Sequence, residues 1–296
     1  MSQENILSGK QVRSIEASSQ DWIGPLPSAS LKVILGLYKY INNSGALHTK
    51  IGSLLFSSAY FAYKSLFGDN FKALVHKHPE YFTSGHIIDV GANIGYTAYL
   101  FNQVLNSPYK VFAFEPEEKN FVELKRNLKK MKMEKNVIPV QSALGESSGS
   151  SFLWYNPTSH AAHRIIEQNQ IKLESDTKLQ RVNMQSLDAF LEERHIQDEP
   201  VAFIKIDVQG YEGPVFKGMK KTLEKNPNVT VVFEYSPHTM KQLGFAPTEL
   251  IQDLKEQGFT MQVLNRDGSL SAFDSKIENS GDFGEYFDIL CKKAVH

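Results

Sequence analysis

A glycine-rich turn and a handful of carboxylates are the residues of this chain whose types and spacing could do chemistry. The turn runs Asp89-Val-Gly91-Ala-Asn93-Ile-Gly95. Gly and Asn tolerate the backbone angles of tight turns, and a turn poor in side chains lets a ligand reach bare backbone N–H groups. Asp89, at its start, would repel a pyrophosphate and attract a cation. The spacing Asp-x-Gly-x-Asn-x-Gly departs from the Gly-x-Gly-x-x-Gly of dinucleotide-binding turns. A ligand carrying an ammonium and a sulfonium, S-adenosylmethionine (SAM), suits it better. Glu115 ends the apolar run Val111-Phe-Ala-Phe114. It lies about twenty residues past Gly95, the offset from which an acidic residue in a βαβ unit accepts hydrogen bonds from a ribose diol.

Further along, Asp207, Glu212 and Glu234 follow the apolar runs Val201–Ile206 and Asn228–Phe233. Methyl transfer from a sulfonium is an in-line displacement, so the protein must mainly hold two reactants at attack distance and exclude water. A hydroxyl acceptor also gains from a general base that takes its proton as the bond forms. Asp207 and Glu234 are the leading candidates, because a carboxylate following a buried strand is costly without partners. Glu212 serves equally well as a base or as an acidic residue favouring a helix N-terminus near Pro214. His238 reads as a loop residue. His160 and His163 are three apart with no further ligand nearby, so a surface loop is expected there and no metal site.

The elements that must position these residues follow from periodicity. Residues 1–27 read as an arm, and helices are expected over 31–41, 49–66 and 71–78, their aromatic residues packed as core against a sheet, the alternative being that some line an acceptor pocket. From His86 the pattern alternates: strand 86–91, helix 95–106, strand 110–115, helix 117–131, strand 137–141. Such alternation builds a parallel sheet with right-handed crossovers. Ser142 and Ala143 close the third strand where an adenine would lie. Residues 156–178 break the alternation and read as an insertion, a lid or an acceptor contact. It resumes with strand 180–184, helix 186–193 capped by Ser186, strand 201–206, a helix opened by Pro214, strand 228–235 and helix 247–257. The runs 259–264 and 286–291 form an antiparallel pair around a loop at 265–283. The fold class is α/β, a mostly parallel Rossmann-like sheet with helices on both faces. An N-terminal helical region (1–80) precedes the main domain (81–296).

A chain of 296 residues accommodates one large α/β domain with an appendage. Its net charge of -1 argues against a nucleic-acid partner, which would call for a basic footprint. The single Cys291 excludes an intramolecular disulfide. The N-terminal Met1-Ser-Gln-Glu-Asn5 is polar, and the apolar stretch from Ile51 to Phe67 is interrupted by Lys64, so neither a signal peptide nor a membrane span is expected. A cytoplasmic protein is expected.

Taken together, Ile88-Asp-Val-Gly-Ala-Asn-Ile-Gly-Tyr-Thr97, Phe114-Glu-Pro116, Ser142-Ala-Leu-Gly145, Ser186-Leu-Asp188, Lys205-Ile-Asp-Val-Gln-Gly-Tyr-Glu212 and Phe233-Glu234 resemble the FkbM family of SAM-dependent methyltransferases. They occur in the family's order and cover about residues 86–235. The resemblance implies a class I methyltransferase fold, SAM as cofactor, and O-methylation of a hydroxyl on a carbohydrate or small-molecule acceptor. The cofactor would be held by Asp89, Gly91, Asn93, Gly95, Glu115, Ser142, Ala143 and Asp207, with catalysis by Asp207, Glu234 and Glu212. One position departs: Gln209 stands where the family usually has Glu, so no carboxylate role carries over, and restoring Glu there is expected to be tolerated. Two rival readings use the same fold, a non-catalytic SAM-binding scaffold and an NAD(P)-dependent oxidoreductase. Stabilisation by SAM and S-adenosylhomocysteine (SAH) but not NAD or NADP separates the oxidoreductase from the others.

Overall fold

The computed structural model describes residues 60–61, 64, 69–154, 163–166, 179–278 and 285–293. The arm at 1–27 and the helix at 31–41 lie outside them. Of the helix expected over 49–66, Tyr60, Phe61 and Lys64 are described, and all three are helical.

The chain passes through α1 (Asn70–Lys77), a 3-10 turn (Pro79–Phe82), β1 (His86–Val90), α2 (Tyr96–Asn102), β2 (Val111–Phe114), α3 (Glu118–Lys130) and β3 (Val137–Val140). Next come β4 (Ala143–Leu144), β5 (Gly149–Trp154), β6 (Arg164–Ile166), which falls inside the expected insertion, and β7 (Leu179–Gln185). There follow α4 (Leu187–Glu193), β8 (Val201–Ile206), α5 (Glu212–Lys217), α6 (Lys220–Lys225), β9 (Thr230–Tyr235), α7 (Pro237–Gln242) and α8 (Pro247–Glu256). The chain closes with β10 (Phe259–Leu264), β11 (Leu270–Ala272), α9 (Ser275–Glu278) and β12 (Phe287–Lys293).

The main sheet has the order β11-β10-β12-β9-β8-β1-β2-β3. Strands β3, β2, β1, β8 and β9 run parallel, and β12 is antiparallel to both its neighbours. This is the class I methyltransferase arrangement, with the last strand inserted antiparallel. The side-chain period of two sends successive residues of a strand to opposite faces. Ile88 and Val90 accordingly join Phe112, Phe114, Ile204 and Ile206 in one apolar cluster, while Ile87 joins Val111, Ala113 and Phe203 in another. Both faces are covered, which is why these strands read as continuous apolar runs. Phe71 and Leu74 of α1 and Phe82 belong to the second cluster, and the rings of Phe82 and Phe203 lie 4.4 Å apart. A division at residue 80 therefore cuts through packed core.

Three expectations are corrected here. Ser142 and Ala143 do not extend the third strand: Ala143–Leu144 pairs with Met184–Gln185 in a separate four-stranded sheet, β4-β7-β5-β6. The strand near 180–184 belongs to that small sheet also, so it does not resume the parallel alternation. The expected surface loop at 156–178 likewise contains strand β6, in which Arg164, Ile165 and Ile166 are all buried.

Candidate active site

The carboxyl ends of β1, β8 and β9 stand side by side at the centre of the sheet, where ligands bind in open α/β folds. The glycine turn follows β1 there, and Gly91, Asn93 and Gly95 all have left-handed backbones, with φ of 75°, 50° and 93°. The structure changes why glycine is needed. A Cβ on Gly91 would overlap the Asp207 carbonyl oxygen, and one on Gly95 would come 2.6 Å from Leu124 Cδ1. Both glycines are first required by the chain's own packing, which lets the turn sit tight against the end of β8 and against α3.

Asp89 is also reassigned. Its residue is 0% exposed, so it cannot offer its charge to a ligand as expected. Thr97 Oγ1 donates to its Oδ2 at 2.6 Å, and Lys205 Nζ lies 3.4 Å from its Oδ1. Asp89 and Lys205 are register partners on β1 and β8, which is why they meet. The Lys205 ammonium donates to Gly91 O at 2.8 Å and Val90 O at 3.3 Å, and stands 3.6 Å from Asp207 Oδ2. Burial opposes its charge, but the Asp207 and Asp89 carboxylates outweigh it and hold the ammonium above its ordinary value. Buried ion pairs are seldom favoured over apolar packing on stability grounds. This one ties the glycine turn to the start of the loop that carries Asp207.

Glu115 is buried at the end of β2, not solvated. Its Oε2 accepts from Asn93 N and its Oε1 from Glu117 N, each at 2.9 Å. Burial, partly offset by these donors, pushes the carboxyl up to about 7. Two acceptances fill about half of a carboxylate's lone-pair sites. The remainder, beside the turn, fits a vicinal diol, so the residues present suit a nucleoside cofactor. Ser142 Oγ donates to Ala143 O at 2.9 Å, which fixes the chain at the mouth of β3.

Beyond β8 lies a connected polar group. Asp207 is its open member, with 40% of its side chain exposed. Gln209 Nε2 donates to Asp207 Oδ1 at 2.7 Å and to Glu234 Oε1 at 3.3 Å. Burial pushes Glu234 well above the usual carboxylate range, reinforced by Asp207, Asp288 and Glu212. Asp288 faces Glu234 across the β9–β12 ladder, is pushed up to about 7 by burial and then Asp207, and accepts from Asn70 Nδ2. Glu212 is fully buried, its Oε1 taken by Val208 N at 3.2 Å and Gly210 N at 3.1 Å. It staples the 208–210 loop at the start of α5.

Sequence reasoning passed over Arg164 and Asp288, took Tyr60 only as part of an apolar helix face, and took Gln209 only as a departure from the family pattern. Arg164, on β6, is buried, donates to Gln242 Oε1 at 2.9 Å, and feels Glu234 and Glu212. Gln242 Nε2 in turn sits 2.9 Å from His238 Nε2, and His238 is on helix α7 instead of the expected loop. Tyr60 feels both Asp207 and Lys205, and its ring meets Tyr96 edge-on at 6.4 Å. The residues near 60 thus reach the same end of the sheet; only a buried Asp288 on the antiparallel strand had no sequence signal at all. Among the described residues no group of acidic, His or Cys side chains could hold a metal ion, and no helix is long and apolar enough to cross a membrane.

Residues 89–261 match the family described as the methyltransferase FkbM domain. Hexuronic acid methyltransferase AglP of Haloferax volcanii is 29% identical over 181 residues, covering 60% of this chain and 66% of that protein. The chain thus spans just under two thirds of that relative's length. Among solved structures, methyltransferase FkbM from Methylobacillus flagellatus KT is 13% identical, with a TM-score of 0.43, over 95% of this chain and 58% of the other. An rRNA methylase from Streptococcus thermophilus is 13% identical, with a TM-score of 0.41, over 74% of this chain and 96% of the other.

Proposed function

The chain belongs to the FkbM methyltransferase family, and from that premise we propose that it transfers a methyl group from SAM to a hydroxyl of a sugar or other small metabolite. Bound SAM supplies a methyl group on a sulfonium that already carries its leaving group. Glu115 would accept from the ribose diol with the lone pairs its two backbone donors leave free. The Gly91–Gly95 turn would carry the amino-acid end, with Ser142 and Ala143 walling the adenine. Asp89 contributes through Lys205, which fixes Gly91 O.

The observation that carries the reading is the placement of Asp207. It is a carboxylate at the carboxyl end of a central strand, partly exposed, oriented by Lys205 at 3.6 Å and Gln209 at 2.7 Å, and next to the turn. A group so placed takes the proton of an acceptor hydroxyl as the new O–C bond forms and passes it to solvent. Glu234 orients the acceptor, and Glu212 shapes the loop that presents Asp207. The sugar class draws support from the relative whose name specifies a hexuronic acid. A net charge of -1 weighs against a polyanionic acceptor.

The test is transfer of label from methyl-labelled SAM onto neutral hexoses and hexuronic acids, preceded by thermal shifts with SAM, SAH, NAD and NADP. Stabilisation by the first pair and labelled, base-stable product on a hydroxyl are expected. Stabilisation by NAD or NADP alone would overturn the reading. So would SAH binding without label on any hydroxyl.

A further inference from the structure

Gln209 occupies a place that neither composition nor the family pattern explains. Its φ of 60° is left-handed, a backbone state that side-chain-bearing residues hold only when the surroundings over-determine it. Its side chain is buried, with the residue 5% exposed. Both N–H groups of the amide are spent on carboxylates, Asp207 Oδ1 at 2.7 Å and Glu234 Oε1 at 3.3 Å. That pattern also fixes which end of the amide is nitrogen, since an oxygen there would face two acceptors. The other end, Oε1, is buried with no hydrogen-bond partner among the described residues. A buried acceptor without a donor costs on the order of a full hydrogen bond, so a bound group that supplies a donor there gains that much.

The chemistry of the neighbours decides what that ligand group is. Asp207 and Glu234, the groups the amide touches, are acceptors too. A hydroxyl fits this set because it has a proton to donate, and a sugar carries several, so one beside the reacting hydroxyl can bind Oε1 while Asp207 takes the reacting one's proton. A carboxylate or phosphate, with acceptors only, does not fit. We propose that Gln209 is the positioning residue of the methyl-acceptor site: its two N–H groups yoke Asp207 to Glu234, and its Oε1 receives a hydrogen bond from a hydroxyl of the acceptor next to the one that reacts. The proposal rests on the hydroxyl-methylating function proposed above, and it deepens that function by giving the acceptor a seat.

The yoke has a consequence that the family pattern hides. Glu at position 209 would put a third acid against Asp207 and Glu234, and in its ionised form it has no hydrogen to donate to either. The titratable groups facing Glu234 are Asp207 and Lys205 on or just after β8, Glu212 on α5, Arg164 on β6, and Asp288 and the neutral Tyr286 on or beside β12. Carboxylates dominate, so the added group must keep a proton in the folded state, and its folded pKa lies above its unfolded one. The stability associated with such a group is present at low pH and lost as pH rises.

The experiment compares wild type, Gln209→Glu and Gln209→Met, using the full chain. First, thermal midpoints of the unliganded proteins are measured at about pH 5 and about pH 8. The deficit of Gln209→Glu relative to wild type should widen from the lower to the higher pH, and by more than that of Gln209→Met, which loses the donors without adding an acid. An equal deficit for Gln209→Glu at both pH values overturns the yoke. Second, SAH affinity by calorimetry should remain within about threefold of wild type in Gln209→Met. A loss beyond about tenfold assigns Oε1 to the cofactor and overturns its place on the acceptor side. Third, with whichever hexose or hexuronic acid the wild type methylates, Gln209→Met should raise KM about tenfold, the scale of one buried hydrogen bond. An unchanged KM overturns the hydroxyl seat. Should the wild type bind SAH yet methylate no hydroxyl, the parent function fails along with the seat, while the pH comparison still decides the yoke.

Discussion

Replacing Gly91 with Ala distinguishes two reasons for a glycine, because they predict different changes before any ligand is added. If Gly91 is there only to let a cofactor approach, the unliganded protein should not register a methyl group. The structure predicts otherwise. The new Cβ would overlap the Asp207 carbonyl oxygen and lie 3.1 Å from its carbon, both backbone atoms held by the β1–β8 ladder. A left-handed Ala adds about 1–2 kcal/mol, and overpacking against backbone about 1–3 kcal/mol, for a total of about 2–5 kcal/mol. In a domain of this size that lowers the thermal midpoint on the order of 10 °C. The strain is shared with Asp207, whose N–H bonds to Val90 O at 3.1 Å, so SAH affinity should fall by about tenfold or more as the turn and the loop separate. Gly149→Ala is the control, since nothing lies within 4 Å of its Cβ position and it should change little. The measurements are calorimetry in SAH and thermal unfolding without ligand. An unliganded midpoint for Gly91→Ala equal to wild type would refute the packing argument and return Gly91 to a role in ligand approach.

Other outcomes follow from the same geometry. Glu115→Ala should weaken SAH binding by about 1.5–3 kcal/mol, the scale for hydrogen bonds to a charged group. A 2′,3′-dideoxyribose analogue should show no such difference between wild type and variant, and an equal loss with that analogue rules the contact out. Asp207→Asn preserves shape and should hold SAH affinity within a few-fold while single-turnover transfer falls about 10²-fold; full activity would remove Asp207 as the base. Glu212→Gln keeps an oxygen for Val208 N and Gly210 N but loses a carboxyl that burial pushes up to about 7. The wild-type group favours folding at low pH and loses that contribution as pH rises through about 7, so the variant should gain in midpoint relative to wild type between about pH 5 and about pH 8. A pH-independent difference would show that Glu212 does not titrate there.

The parts of the site set by local pattern were readable from the chain. The apolar runs at 86–90, 111–114, 201–206 and 230–235 are buried on both faces, so their strand character is nearly context-free. The turn after β1 and the carboxylate after β2 then follow from chain order alone. What was misread depended on pairing across long separations. Residues 142–143 looked like the close of the third strand and 180–184 like a further parallel strand, because β composition does not say which sheet a strand joins; the pairing of 143–144 with 184–185 separates both from the main sheet. Asp89 looked like a free charge because its partner, Lys205, lies on a strand that meets it only in the fold.

Gln209 shows the limit most clearly. Set beside the family pattern, it reads as a lost carboxylate, and restoring Glu looks harmless. In the fold its value is that it is not a carboxylate. Asp207 and Glu234 arrive from adjacent strand ends, and Asp288 adds a third acid from the antiparallel β12. Three acids converging at one edge of a sheet need hydrogen-bond donors between them or protons on them. Lys205 supplies one donor on the turn side, and the Gln209 amide supplies two at the centre. An amide there keeps Asp207 oriented without spending a proton, which leaves the open carboxylate free to take one from an acceptor. A glutamate would have to borrow that proton first, and the enzyme's working range would move with it.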